Sequence, residues 1–458
     1  MKHRLDIEKY RADWRKALQW NKPFYFERPP LFSPAAAAQE NNGACQVMTR
    51  FISNWIPWQY TNFVEEGLSF HQTAFLGDWS SLIKLRIKGP EALMFLSLHC
   101  TNDLSRFPLG QVKHAVQTDE RGKVAGEGVL YKLTEDEIVY QGGGADWLYH
   151  WFENGKWDAE ARIDSPDTFV FHVQGPKSLA VLERTTGENL RDIRFLWNRM
   201  SKIASFDVRI LRMGVTGELG YEVHGPSEYG NEVWEAIHEA GKEFDMKLMG
   251  RRSQIIGHVE AGIATVSRDF FAAAATGPGK SKAHVVNMTG GSYEWSDVSE
   301  LTRSPFELGW TKEVSLKTHD FMGRDALAVE LEDGGPARHL CGLVWNSDDL
   351  VDLHRAYFED GPIPIPMEMP RESARLGMDP DKVLKDGRVV GCSTSRVYSP
   401  FLRKMISLCA MDKELTEPGT NVVVVWGQRN GPQKEIRARV VAIPFKEDKR
   451  RIDVTKLD

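Results

Sequence analysis

Three short alternating runs of apolar and polar residues each lead through a Gly-Pro pair into an apolar helical pattern. Leu85-Arg86-Ile87-Lys88 passes through Gly89-Pro90 toward Leu96, and Phe171-His172-Val173-Gln174 passes through Gly175-Pro176 toward Leu182. Tyr221-Glu222-Val223-His224 is followed by Gly225-Pro226 and a helical pattern from Gly230 to Ala240. A period of two puts alternate side chains on opposite faces of a strand, whereas spacings of three and four share a helix face. Glycine permits the sharp turn between them, and proline at a first helical position wastes no hydrogen bond. Repeated strand–turn–helix units predict an α+β or α/β body.

The texture changes after about residue 330. A loop-like Asp360-Gly361-Pro362-Ile363-Pro364-Ile365-Pro366 precedes strand-like runs at 388–391, 405–410, 421–426 and 436–441. Short strands between turn signals predict a small β-barrel or sandwich. Residues 1–45 are polar and close on Ser33-Pro34 and an Ala/Gln/Asn-rich stretch, which reads as an extension rather than a core element. The expected organisation is an extension over 1–45, a body of two subdomains over 46–330 and a C-terminal domain over 331–458. Residues 274–281, Ala-Ala-Thr-Gly-Pro-Gly-Lys-Ser, lack the spacing of a phosphate loop, so the 271–298 segment reads as a loop over or beside the active site.

Composition narrows the function. A chain of 458 residues holds two to four domains, and 41% apolar with 27% charged residues is ordinary for a globular protein. The net charge of −6 and the lack of a long Lys/Arg run argue against nucleic-acid binding. Five cysteines with no metal-type spacing read as isolated thiols in a reducing cytoplasm. The charged start Met1-Lys2-His3-Arg4 lacks the apolar run of a signal peptide, and no stretch approaches the roughly 18 apolar residues of a spanning helix. A cytoplasmic protein with no membrane partner is expected.

Six segments in order resemble the glycine-cleavage T-protein (aminomethyltransferase) family. They are Ile87-Lys88-Gly89-Pro90 with Cys100-Thr101-Asn102-Asp103, Val173-Gln174-Gly175-Pro176, Gly214-Val215-Thr216-Gly217-Glu218-Leu219-Gly220-Tyr221-Glu222-Val223, Val259-Glu260-Ala261-Gly262, Glu307-Leu308-Gly309-Trp310 with Asp320 to Leu327, and Gly391-Cys392-Ser393-Thr394-Ser395 with the end at Phe445. Within that family, Trp55-Ile56-Pro57-Trp58, Ser69-Phe70-His71, Lys113-His114 and Val383 to Gly391 are similar to the bacterial tetrahydrofolate-dependent O-demethylases of vanillate and syringate. The resemblance implies an α+β cloverleaf of three domains with a C-terminal β-barrel-like domain. It also implies tetrahydrofolate as methyl acceptor and a small aromatic methyl ether, such as a methoxybenzoate, as donor, the alternatives being an aminomethyl or sulfonium donor on the same scaffold or folate binding without turnover.

Glu222 stands where the family places a pterin-binding glutamate, since a carboxylate accepts two parallel hydrogen bonds from a guanidine-like edge. A solvent-facing strand glutamate is the alternative. Gln174 is a second candidate for folate, and Val215 and Val116 are candidates to wall the pterin. His71 is the candidate acid at the leaving oxygen, with Glu127 and His258 as alternatives. Trp58, Tyr60, Arg251, Ser253 and His258 are candidate substrate contacts. Two departures mark this chain. The family's paired aspartates fall where this sequence reads Gly122-Lys123-Val124-Ala125-Gly126-Glu127-Gly128-Val129, and Ser253 stands where the vanillate-type enzymes have a tyrosine.

Overall fold

The computed structural model describes residues 7–17, 28–43, 47–276, 289–368 and 377–457. Two helix-backed sheets form the body. The larger has six strands in the order Asn198–Ile203, Phe206–Arg212, Gly220–Pro226, Thr168–Gln174, Phe75–Asp78 and Lys247–Met249. The smaller has five, in the order Val112–Thr118, Val124–Lys132, Glu137–Gly142, Lys84–Lys88 and Glu160–Ile163.

The alternation read from the sequence is the packing plan. In the larger sheet Phe169, Phe171, Val173, Tyr221 and Val223 join a core with helices Ser178–Thr186 and Gly230–Lys242. In the smaller, Leu85, Ile87, Leu130, Ile138 and Tyr140 pack on helices Ala92–His99 and Ala145–Glu153. The intervening residues point the other way, where the sheets meet: Val129, Tyr131 and Val139 touch Leu211 and Met213. This inter-sheet face also carries His172, Gln174, Glu222 and His224, all buried. Gly89 and Gly175 have φ of +138° and +127°, and a Cβ on either would meet neighbouring backbone at 2.6 Å. Pro90 and Pro176 lie in the turns, each two residues ahead of its helix rather than in the first helical position.

A closed six-stranded barrel follows, ordered Arg338–Trp345, Lys404–Asp412, Arg388–Ser399, Asp381–Lys385, Asn421–Gly427 and Gln433–Val441. All four strand-like runs of the C-terminal sequence lie inside it. Val397, Ile406 and Leu408 seat it on Phe70, Phe75, Trp79, Ile256 and Val259 of the body.

The N-terminal stretch departs from the arm expected of it. Trp14 lies fully buried in the core of the smaller sheet, and Ala35 and Ala38 in that of the larger. These described apolar residues are spent on tertiary contacts with the body. The central part of the 271–298 loop, residues 277–288, lies outside the described residues. Among the described residues no helix is long and apolar enough to cross a membrane.

Within the 122–129 stretch, Gly126 packs directly on Gly144, and a Cβ there would collide with the Gly144 backbone. Gly126→Ala is expected to lower unfolding stability by about 1–3 kcal/mol through overpacking, read as a lower urea midpoint at unchanged m-value.

Candidate functional site

Glu222 sits at the centre of the inter-sheet face. Its register partners across the sheet are His172 and Leu211. His172 Nε2 lies 2.8 Å from Oε1, His224 Nε2 lies 2.7 Å from Oε2, and the Gln141 amide of the smaller sheet donates to Oε2 at 3.2 Å. Burial works against the charge of Glu222, but the two histidines outweigh it and hold its carboxyl far below the usual range. Burial likewise lowers the His224 pKa, so that ring donates to Glu222 while neutral. His172 stacks on Trp79 with centroids 4.0 Å apart and planes 4° from parallel. Gln141 Oε1 is buried without a hydrogen-bond partner among the described residues. Lys84, the cross-strand partner of Gln141, is buried too, and burial pushes its ammonium down to about 8.

Gln174 supports this centre from behind. Its Oε1 accepts from Val215 N at 3.1 Å and Thr216 Oγ1 at 3.0 Å, and its amide nitrogen donates to His172 Nδ1 at 2.6 Å. Val215, half-buried, packs toward the barrel junction, while Val116 is fully buried among Phe270, Leu308 and Trp310.

Glu127 lies opposite Val116 and so shares its face, as do His114, Val129 and Tyr131 by alternation. Tyr131 and Gln141, across in the next strand, reach His224 and Glu222 from this face. Glu127 therefore faces the same side of the smaller sheet as the residues that reach Glu222. His114 Nε2 bonds Glu127 Oε2 at 3.1 Å. Burial disfavours charge on His114, but this carboxylate outweighs it and raises the imidazole pKa.

Helix Arg251–Glu260 carries the next group. Ser253 is fully buried and donates to Glu66 Oε2 at 2.7 Å. Glu66 also accepts from Gly250 N, Tyr60 N and Thr61 N at 2.7–3.1 Å, so it ties this helix to the start of Phe63–Gln72. Tyr60 packs its ring on the core of the larger sheet. Trp58, half-buried, accepts from Arg252 N at 3.0 Å through its carbonyl. Arg251 bonds Gln254 Oε1 at 3.0 Å and covers the Phe51 ring at 3.7 Å. His258 Nδ1 lies 3.4 Å from Thr265 Oγ1.

His71 belongs to a separate cluster under the barrel. Its Nε2 lies 2.7 Å from Glu260 Oε2, its Nδ1 3.4 Å from Glu218 Oε1, and its ring stacks on Phe401 at 3.9 Å. Ser399 Oγ donates to Glu260 at 2.6 Å and Lys446 Nζ reaches Glu218 at 2.5 Å. Burial opposes the charge on His71, but the two carboxylates prevail and raise its pKa. The structure thus gathers Glu222, Gln174 and Glu127 on the inter-sheet face and places His71, Ser253 and Tyr60 in structural networks. His172, His224, Gln141 and Lys84 escaped the sequence reading. Their only local signal was polar alternation, which a solvent-facing strand shows equally.

This architecture is shared with known proteins. The family model of the GCVT N-terminal domain matches residues 5–276, and that of the glycine cleavage T-protein C-terminal barrel domain matches 366–446. The chain belongs to the glycine-cleavage T-protein family, a family of transferase enzymes. It is similar to a sesamin methylene transferase of Sinomonas sp. (strain No.22), with 32% identity over 435 residues, 88% of this chain and 93% of that one. A syringate O-demethylase of Sphingobium sp. is 29% identical over 85% of this chain and 90% of its own. An aminomethyltransferase of Thermoanaerobacter pseudethanolicus is 26% identical over 84% and 90%. In fold, the aminomethyltransferase T of Bartonella henselae superposes with a TM-score of 0.69 at 19% identity, covering 92% of this chain and 99% of that one.

A histidine whose folded pKa lies above its unfolded value of about 6.5 contributes fully below that value and loses the contribution as pH rises through the folded pKa. His71→Ala is expected to cost about 3–5 kcal/mol at pH 6, because it strands buried carboxylates. The deficit relative to wild type should shrink as pH rises toward 9. Thermal melts of both proteins across that range check it.

Proposed function

We propose that the chain transfers a one-carbon unit from an aryl ether oxygen to tetrahydrofolate, with the methyl of a methoxyaromatic acid such as vanillate, syringate or a substituted methoxybenzoate as its cargo. The observation that carries this reading is the ionised Glu222 buried beside an unpaired acceptor, Gln141 Oε1. A carboxylate and an amide oxygen side by side suit the donor-rich edge of a pterin, and leaving the Gln141 oxygen buried without a donor is costly. A syringate demethylase and a sesamin methylene transferase among its relatives support an aryl ether as the donor.

Tetrahydrofolate supplies the accepting secondary amine when bound. Glu222 and Gln141 would hold its planar edge, and the Trp79–His172 stack and the Gln174 brace keep that acceptor pair fixed. Rigid placement matters because in-line transfer needs the reacting atoms about 3–3.5 Å apart. Glu127, bonded to His114, takes the proton that the amine gives up. The stretch 122–129, which resembles the family's but lacks its paired aspartates, argues against aminomethyl transfer, and the crowding at Gly126 leaves no room there for a side chain.

The likeness to sesamin methylene transferase favours a second reading, in which a methylene rather than a methyl moves. Incubation with tetrahydrofolate and a panel of methoxybenzoates and methylenedioxybenzenes separates the two. Methyl transfer yields 5-methyltetrahydrofolate and a phenol in equal amounts, whereas methylene transfer yields the methylene folate. No one-carbon folate from any aryl ether would reject both. Glu222→Gln is expected to raise the tetrahydrofolate dissociation constant by about 10–100-fold, the worth of charged hydrogen bonds, in anaerobic calorimetric titration.

A further inference from the structure

A proton taken up inside a protein must reach water before the next turnover. His114 is the group placed to carry it away from Glu127. The two side chains form a diagonal pair on one face of strands Val112–Thr118 and Val124–Lys132, with His114 Nε2 3.1 Å from Glu127 Oε2. The other ring nitrogen, Nδ1, has no hydrogen-bond partner among the described residues, and the side chain is 29% exposed. The ring stands edge-on to Trp310 with centroids 5.4 Å apart. Asn102 pins the strand beneath it, donating to His114 O at 2.8 Å and accepting from Val116 N at 3.0 Å.

His114 also lines a cavity of about 320 Å³, open on one side, where the two sheets meet. That exceeds several times over the roughly 30 Å³ that one water occupies. Val112 N donates to Leu196 O at 2.8 Å along one wall, and Leu196 N bonds Arg212 O of the larger sheet at 2.9 Å. Gln111 Oε1, in the same wall, has no protein donor among the described residues and is free to bond water. The charged groups around the ring are Glu127 and Glu313, then Asp103, Lys113 and Lys312 of the cavity wall, and Arg450 of the tail. Lys113 Nζ is committed to Asp103 O at 2.7 Å and Glu313 Oε2 to the Asn102 amide at 2.7 Å, so neither competes for the imidazole. Burial lowers the His114 pKa, Glu127 and then Glu313 raise it, Arg450 lowers it, and the balance is upward. An imidazole that titrates above its ordinary value of about 6.5 can hold a proton and return it to water near neutral pH.

Building on the reading that Glu127 takes the amine proton, we propose that His114 relays that proton from Glu127 to water in the cavity. His114 touches no reacting atom and serves as a positioning residue for Glu127. The amine N–H bond breaks with its electrons left on nitrogen, and the proton bonds to the Glu127 carboxylate. It then passes to His114 Nε2, which leaves Glu127 ionised and the ring an imidazolium. The imidazolium gives its Nδ1 proton to water, and exchange with that water restores the starting tautomer. The released aryl oxide takes up one proton in solution, so charge and atoms balance without a further reactant.

Two measurements test this. The first needs no substrate: the His114 ring nitrogens of histidine-labelled protein are followed by NMR as pH rises. His114 is expected to titrate above about 6.5 in the wild type and lower in Glu127→Gln. A ring that does not titrate between about pH 5 and 9, or that ignores Glu127→Gln, overturns the proposal. The second is single-turnover transfer from the panel of aryl ethers to tetrahydrofolate. The wild-type rate is expected to rise as pH passes the His114 pKa. His114→Ala should lose that limb and slow by about 10–100-fold, within what positioned proton transfer contributes, and added imidazole, seated in the enlarged cavity, should restore it. A His114→Ala rate equal to wild type, or a slow one that imidazole leaves unchanged, overturns the relay while the aryl ether reading stands. Normal titration with no product from any aryl ether rejects the donor and leaves the Glu127–His114 couple in place, so the two readings fall separately.

Discussion

A single charge inside the protein organises its centre: the carboxylate of Glu222, removed from water between two sheets. Such a charge is tolerated only when hydrogen bonds replace its hydration. The strand neighbour His224 provides one of them and Gln141 another from the opposing sheet, while His172 Nε2 lies 2.8 Å from the other carboxylate oxygen as a close polar contact. The two sheets are therefore joined by an electrostatic requirement as well as by the apolar contacts of Val129, Tyr131 and Val139 with Leu211 and Met213. Each sheet sends its apolar alternate residues outward to its own helices, which leaves the polar alternates facing each other in the middle.

Much of this scaffold is written locally. The Gly-Pro turns are legible because the close backbone contacts at Gly89 and Gly175 admit no Cβ. The barrel strands are legible because runs such as Asn421-Val422-Val423-Val424-Val425-Trp426 have few other conformations open to them. Glu222 was found through its motif, not through its alternation. His172, His224 and Gln141 were invisible because whether a polar strand face meets water or a second sheet is decided by residues far away in sequence. Trp14 was hidden for the same reason. His71 and Ser253 look chemical in isolation, and only the tertiary partners Glu260, Glu218 and Glu66 reveal their commitment to holding elements together.

The two buried acid–histidine assemblies contrast in a useful way. Around His71, one imidazole and Lys446 serve two carboxylates, both oxygens of Glu260 and one of Glu218 have a nearby donor, and the parts come from the body, the barrel and the tail that follows it. That is the pattern of a joint. Around Glu222 the count is reversed, with several donors serving one acid and an acceptor left over on Gln141. An assembly with unmatched atoms, Gln141 Oε1 and His172 Nε2 here, is incomplete by itself, which distinguishes a receptor site from a rivet.

Gln174 has a consequence beyond bracing. A backbone N–H can only donate, so the bond from Val215 N fixes which end of the Gln174 amide faces the loop, and the other end must donate to His172 Nδ1. That dictates the tautomer of His172 and leaves its proton on the nitrogen beside Glu222. Gly214 and Gly220 crowd this side chain so closely that a Cβ on the first would strike the amide oxygen at 2.8 Å and one on the second Cγ at 2.7 Å. The glycine-rich loop thus behaves as a mould that fixes the orientation of a hydrogen-bond chain from Val215 N through Gln174 to His172 Nδ1. Rewriting a loop that touches no reacting atom would then free that amide to turn over and the imidazole with it to change tautomer.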